Sequence, residues 1–227
     1  MPNNLMPNSP MPNPETRSQL SMMLTLADSR LPIGGHVHSG GVEQAIADRV
    51  VVDATTLAEF LRRRVATSGL VAASIAAAVA DGTIDVPTAQ RETDARTPSA
   101  AGRRASLAQG RGMRRLAGRL WPQHDWSDHT PRTHLPVISG AVGRISELSG
   151  FHTALILVYT TMSGAATAGQ RLLALDPADV AVVIADLGSE CERVAAAAAV
   201  ELADLSDPML DVFAERHERR DMPLFVS

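Results

Sequence analysis

Small aliphatic side chains at helical spacing run through almost the whole chain, and they exclude most architectures before any motif is considered. Hydrophobic residues make up 45% of the sequence, yet aromatics only 3%, so alanine, leucine and valine supply the apolar mass. A β-sandwich needs aromatic and β-branched residues on alternating positions, whereas closely approaching helices are served by alanine and leucine. No stretch alternates with a period of two. Leu57, Phe60, Leu61 and Val65 form one apolar stripe, with Arg62, Arg63 and Arg64 mostly outward; Val71, Ile75 and Val79 form the next, and Gly82 is a stop. Ile138, Ala141, Val142, Ile145 and Leu148 form another, ending at Gly150, and a long two-sided helix follows through Leu172. Val180, Leu187, Cys191, Val194, Ala198 and Leu202 read as one further helix with a spacing near 3.5. The expected fold is all-α, a multi-helix bundle of one domain over 19–227. Residues 1–18, where Met-Pro-Asn recurs at 1–3, 6–8 and 11–13, are expected to be a disordered tail.

Local signals punctuate these helices. Thr56-Leu57-Ala58-Glu59 has the capping-box pattern. Pro87 suits a first helical turn, Arg96-Thr97-Pro98 breaks a helix, and Asp176-Pro177 and Asp207-Pro208 each start one. Residues 91–120 are unusual in charge, and beyond Pro98 they read as a basic amphipathic helix with Arg104, Arg111, Arg115 and Arg119 along one side. A solvated face, an acidic protein partner, and nucleic acid or a membrane are its three readings, the last disfavoured by overall acidity and few aromatics. Trp121–Pro136 reads as a polar surface loop in which His124, His129 and His134 recur every five residues.

Charge and composition exclude several functions. The net charge is −4, which gives nucleic acid no electrostatic attraction. All 21 basic residues are arginine. A P-loop lysine, a Schiff base and a lysine general base are therefore absent. The single cysteine, Cys191, permits no intrachain disulfide and no Cys-x-x-Cys metal site, and reads as a small buried hydrophobe. No secretory signal or clean membrane span is evident; Ala154–Ala168, the longest candidate, holds or borders several hydroxyl residues. The expected location is the cytoplasm.

One segment is not explained by helix packing. Asp28–Glu43 contains Pro32, Gly34, Gly35, His36, His38, Gly40 and Gly41 between two apolar helices. It reads as a shaped loop feeding a helix, with Gly40 at the N-cap and Glu43 three residues on, able to reach back to the cap. His36 and His38 suggest a metal pair, the basis of an alternative reading as a helical nickel- or zinc-binding protein. Further ligands are lacking, G-x-S-x-G is absent, and no active site assembles from the residues alone.

The motifs Asp28-Ser29-x-Leu31-Pro32-Ile33-Gly34-Gly35, His38-Ser39-x-Gly41-x-Glu43, Arg91-Glu92, Arg104-Ala105-Ser106-x-x-x-Gly110, Gly169-Gln170-x-Leu172-Leu173, Pro208-x-Leu210-Asp211, His217 and Leu224-Phe225-x-Ser227 occur in the order seen in urease accessory proteins of the UreF type, which the chain resembles over about residues 20–227. The resemblance implies an all-helical, non-catalytic and usually dimeric protein without a cofactor of its own. It implies partners too: a UreD/UreH-type scaffold, the nickel-carrying UreG GTPase and the urease apoenzyme, to which nickel is delivered. Asp28, Ser29, Leu31, Pro32, Gly34, His38, Ser39, Gly41, Glu43, His217, Leu224, Phe225 and Ser227 are the residues it marks for structure or partner binding. The Leu224–Phe225 hook is expected to bury in a groove of the fold or of a partner.

Overall fold

The structure, a computed structural model, describes residues 14–33, 38–204, 207–219 and Leu224. Eleven α-helices are seen among them, and no strand. In chain order they are α1 (Pro14–Leu26), α2 (Val42–Ala47), α3 (Ala54–Arg64), α4 (Leu70–Asp81), α5 (Val86–Ala95), α6 (Ala100–Leu120), α7 (Leu135–Ile145), α8 (Gly150–Leu173), α9 (Pro177–Asp186), α10 (Gly188–Ala198) and α11 (Pro208–Glu218). The all-α bundle expected from the periodicity is what forms.

Helix α4 is the axis. It packs against α5, α7, α8 and α10. Its residues Val71, Ala73, Ser74, Ile75, Ala76, Ala77, Val79 and Ala80 are buried, so it has no solvent stripe to mark. Two apolar clusters meet along it. One gathers Leu57, Phe60, Leu61, Val158, Met162, Val194 and Phe213 from α3, α8, α10 and α11. The other gathers Val71, Ile75, Val79, Met113, Trp126, Ile138 and Val142 from α4, α6, α7 and the loop before α7. Small residues set the spacing between helices. A Cβ at Gly140 on α7 would lie 2.5 Å from Val79 Cβ and 2.6 Å from Ala76 O of α4, closer than atoms pack.

Helices α3 and α4 are one rod joined by a π-helical turn at Val65–Gly69. This rod, Ala54–Asp81, is long and apolar enough to cross a membrane, but it runs through the bundle with 56% of its most apolar window buried. It replaces Ala154–Ala168 as the longest apolar stretch.

Several boundaries differ from the sequence reading. The capping box lies three residues earlier: Asp53 accepts from Thr56 N at 2.8 Å, and the Thr56 hydroxyl accepts from Asp53 N at 3.1 Å. Gly150 does not end α7; Glu147, at φ 57°, follows the last helical turn at Ile145, and Ser149 caps α8 through His152 N. The helix expected over 180–202 is two, α9 and α10, parted at Leu187–Gly188. Its spacing misled because Val180, Leu187, Cys191, Val194 and Ala198 face the same core across the break. Asp85, Asp176 and Asp207 cap helices as their prolines announce.

The loop before α7 is more buried than its polarity suggests. Trp126, His129 and His134 are buried. His134 holds α5 and α6 together, with Nε2 at 3.1 Å from Asp94 Oδ1 and Nδ1 at 3.1 Å from Ser106 Oγ. Its backbone N donates to Gln90 Oε1 at 2.8 Å. The His134 ring enters the interior because each of its nitrogens has a fixed partner.

Two outcomes follow from this packing. Gly140→Val should lower unfolding free energy by about 1–3 kcal/mol in urea titrations, through overpacking at the α4–α7 crossing; an unchanged midpoint would show the helices are not in contact there. Cys191, 1% exposed with its thiol pushed up to about 11 by burial, should resist aromatic disulfide reagents at pH 8 until the protein unfolds.

Candidate functional site

The loop entering α2 turns on two consecutive left-handed residues, Gly40 (φ 62°) and Gly41 (φ 90°). Side chains rarely adopt these angles, so the glycines are required by the turn. The N-cap of α2 is Gly41, not Gly40. That one-residue shift removes Glu43 from the position that reaches back to a cap and turns it into the interior, where it is 4% exposed.

Glu43 there meets the other end of the chain. Its Oε2 lies 2.6 Å from His217 Nε2 of α11, and its Oε1 accepts from the backbone N of Leu224 at 2.9 Å. His217 is 1% exposed. A buried carboxylate is costly unless both oxygens are satisfied, and here residues 174 and 181 positions away satisfy them. Gly41 completes the contact: a Cβ there would sit 3.6 Å from Phe213 Cβ and 3.9 Å from Phe60 Cζ. The Phe60 and Phe213 rings are 6.5 Å apart, a tilted aromatic pair beneath the turn.

Ion pairs secure α11 over this point. Arg63 of α3 donates to both oxygens of Asp207, Nε at 2.5 Å and Nη2 at 2.8 Å, and Asp207 also caps α11 through Met209 N at 3.1 Å. The Arg63 hydrogen bonds and charge hold the Asp207 carboxyl below the usual carboxylate range against the opposing effect of burial. Arg216 pairs with Asp48 at the end of α2 at 2.7 Å, and Arg104 of α6 pairs with Glu218. Glu215 accepts from Ser99 Oγ at 2.8 Å and from Ala101 N at 2.9 Å at the start of α6.

The arginines of α3 do not all face outward, as the stripe implied. Arg64 turns in and donates from Nη1 to Gly40 O at 2.7 Å. Burial lowers its guanidinium to about 10. It borders a cavity of about 290 Å³ that His38, Gly41 and His217 also line. Arg63, Arg64, Asp207 and Phe213 are members of the site that the sequence reading did not single out. Asp207 was visible only as a cap, and three consecutive arginines gave no sign of which one turns inward.

The marked residues divide into two groups. His38, Ser39, Gly41, Glu43 and His217 gather at the buried end of the loop, and Leu224 joins them through its backbone. Asp28, Ser29, Leu31 and Pro32 form a separate turn. Asp28 accepts from Arg30 N at 2.8 Å, and with the Arg30 guanidinium 2.6 Å away its carboxyl is lowered to about 2. Gly34, Phe225 and Ser227 lie outside the described residues, as does His36 of the suggested metal pair. Among the described residues no group of three or more His, Cys, Asp or Glu could hold a metal ion. The Leu224 side chain is 79% exposed, so the hook does not bury in a groove of the fold at that residue.

The two ends that carry the most distinctive motifs are thus a single constellation, and comparison with known proteins gives the family of the chain that carries it. The UreF family model matches residues 51–188. The chain belongs to the UreF family. A urease accessory protein UreF from Mycobacterium sp. (strain JLS) is 62% identical over 208 residues, covering 92% of this chain and 99% of that protein. Its counterparts in Mycobacterium tuberculosis (strain ATCC 25618 / H37Rv) and Mycolicibacterium vanbaalenii are each 58% identical, covering 92% of this chain and all of theirs. UreF is a urease accessory protein and not an enzyme.

The Asp207 anchor has a pH signature. Its folded pKa is depressed, so the stability it supplies is present above about pH 4 and fades as pH falls through the folded value. Asp207→Ala should cost about 2 kcal/mol at pH 7, the sum of a lost cap and a broken pair discounted for the half-exposed Arg63. The gap between variant and parent should narrow in urea titrations towards pH 3; a constant gap would show that ionisation of Asp207 does not supply the stability.

Proposed function

We propose that the chain is a non-catalytic adaptor in nickel incorporation, joining a UreD/UreH-type accessory protein, the UreG GTPase and the urease apoenzyme. The observation that carries this reading is the double character of Leu224. Its backbone is fastened to the buried Glu43 while its side chain stands exposed. Met209 and Val212, three residues apart on α11, are also exposed apolar side chains. A C-terminal segment held by its backbone with apolar side chains outward is organised to bind another protein. We assign the UreD/UreH-type scaffold to this end.

In this reading nickel is cargo of the assembled complex and not a resident cofactor of the chain. The protein works in the cytoplasm as a homodimer, apart from membranes and nucleic acid; its net charge of −4 agrees with the last point. Light scattering on the purified chain tests the dimer. Activation of urease would come from positioning the GTPase against the apoenzyme, which needs surfaces and not catalytic groups.

Leu224→Asp, and removal of 221–227, should each abolish capture of the UreD/UreH-type partner in a pull-down with the fold intact by circular dichroism. A strain lacking the gene should hold urease protein without nickel. Unchanged capture would remove the C-terminal assignment, and full urease activity in the deletion strain would remove the function.

A further inference from the structure

A second cleft, of about 580 Å³, lies between Pro32–Ile33 of the signature turn, the face of α6 carrying Arg111, Arg114 and Arg115, and His129 of the loop before α7. It opens on the other side of Ile33, the one residue it shares with the cavity lined by His38, Gly41 and His217. Among the described residues every charged side chain lining it is an arginine, and no carboxylate does.

The two outer arginines, Arg111 and Arg115, are one turn apart on α6 and exposed. Like charges at that spacing repel by a few tenths of a kcal/mol, and neither has an ion-pair partner among the described residues. Arg115 makes only a long contact, 3.5 Å, to Pro32 O. Arg114 is held in place: Nε donates to His129 O at 3.0 Å, and the guanidinium lies 5.2 Å from the centre of the Trp126 ring. His129 is only 8% exposed, and neither ring nitrogen has a hydrogen-bond partner. A buried imidazole without partners costs about 1–3 kcal/mol and calls for an explanation. Burial lowers the pKa of that imidazole, its nitrogens are closed off from solvent, and its ring lies edge-on to Trp126 at 5.5 Å between centroids.

The wall opposite is also built for close approach. A Cβ at Gly112 would lie 2.8 Å from Ile33 Cα and 2.9 Å from Ile33 O, so the absent side chain lets the signature turn seat directly on α6. The cleft therefore has a fixed backbone wall, one immobilised arginine, two adaptable ones and an unpartnered imidazole. Guanidinium forks match the oxygens of phosphate in pairs.

We infer that this cleft is a binding site for a phosphate-class oxyanion, held by Arg111, Arg115 and Arg114. The ligand bridges α6 and the Pro32–Ile33 turn, so its occupancy stiffens the first half of the Asp28–Glu43 segment.

The test is calorimetric titration of the full-length protein with inorganic phosphate and, separately, with adenosine monophosphate. Saturable binding should weaken at least about tenfold in Arg111→Gln/Arg115→Gln, and should fall with added salt. Arg119→Gln, on the same helix outside the cleft, should bind as the parent does. The guanidinium Nε resonances of Arg111 and Arg115 should move on titration while that of Arg119 stays in place. Tighter binding of the monophosphate identifies an ester ligand, and equal or weaker binding a free ion. If the double variant is less stable than the parent, Arg111→Gln alone carries the comparison. No binding of either probe, or binding unaffected by the arginine changes, overturns the site.

Discussion

A single buried carboxylate decides how the ends of this chain are arranged. Glu43 has its two oxygens shared between His217 Nε2 and the amide of Leu224. Placing it inside the protein is tolerable only while both partners are present, since a buried charge that loses one costs about 3–5 kcal/mol. Everything nearby serves that arrangement. The left-handed pair Gly40–Gly41 turns Glu43 inward, Phe60 and Phe213 exclude water beneath it, and Arg63–Asp207 and Arg216–Asp48 hold α11 in register above it. The exposed apolar side chains of α11 and Leu224 owe their placement to the same contact.

The bundle supplies the rigidity this needs. Helix α4 carries side chains of both apolar clusters and meets α5, α7, α8 and α10, so α3, continuous with it, is a firm support for Arg63 and Arg64. Arg63 reaches out to the C-terminal helix, and Arg64 reaches in to the carbonyl of Gly40. One turn of one helix thus grips both the N-terminal loop and the C-terminal helix. In this member of the UreF family the N-terminal loop and the C-terminal helix are thereby tied to one support.

Much of the fold was legible because helices advertise themselves by period, and because Asp-Pro and αL glycine signals are local. Asp176, Asp207 and Gly82 behave as their sequence neighbours require. The break at Leu187–Gly188 was not legible, since an apolar face conserved across a bend gives the same spacing as a straight helix. The site was legible only as fragments. His38, Gly41, Glu43 and His217 could be marked by resemblance, but a residue's period says nothing about a partner 174 positions away. Glu43 was read as a local cap because Glu three residues after a glycine has a local explanation; a shift of the cap by one residue turned it inward. Asp207 had an equally sufficient local role, which concealed its pairing with Arg63.

The central claim is that the Glu43 carboxylate, not general packing, holds the C-terminal segment to the N-terminal loop. Amide hydrogen exchange at Leu224, compared between the parent protein and Glu43→Ala, tests it most directly. The account requires a protected Leu224 amide in the parent and loss of that protection in the variant, with α4 and α8 amides unchanged. Equal protection of Leu224 in both proteins would contradict it.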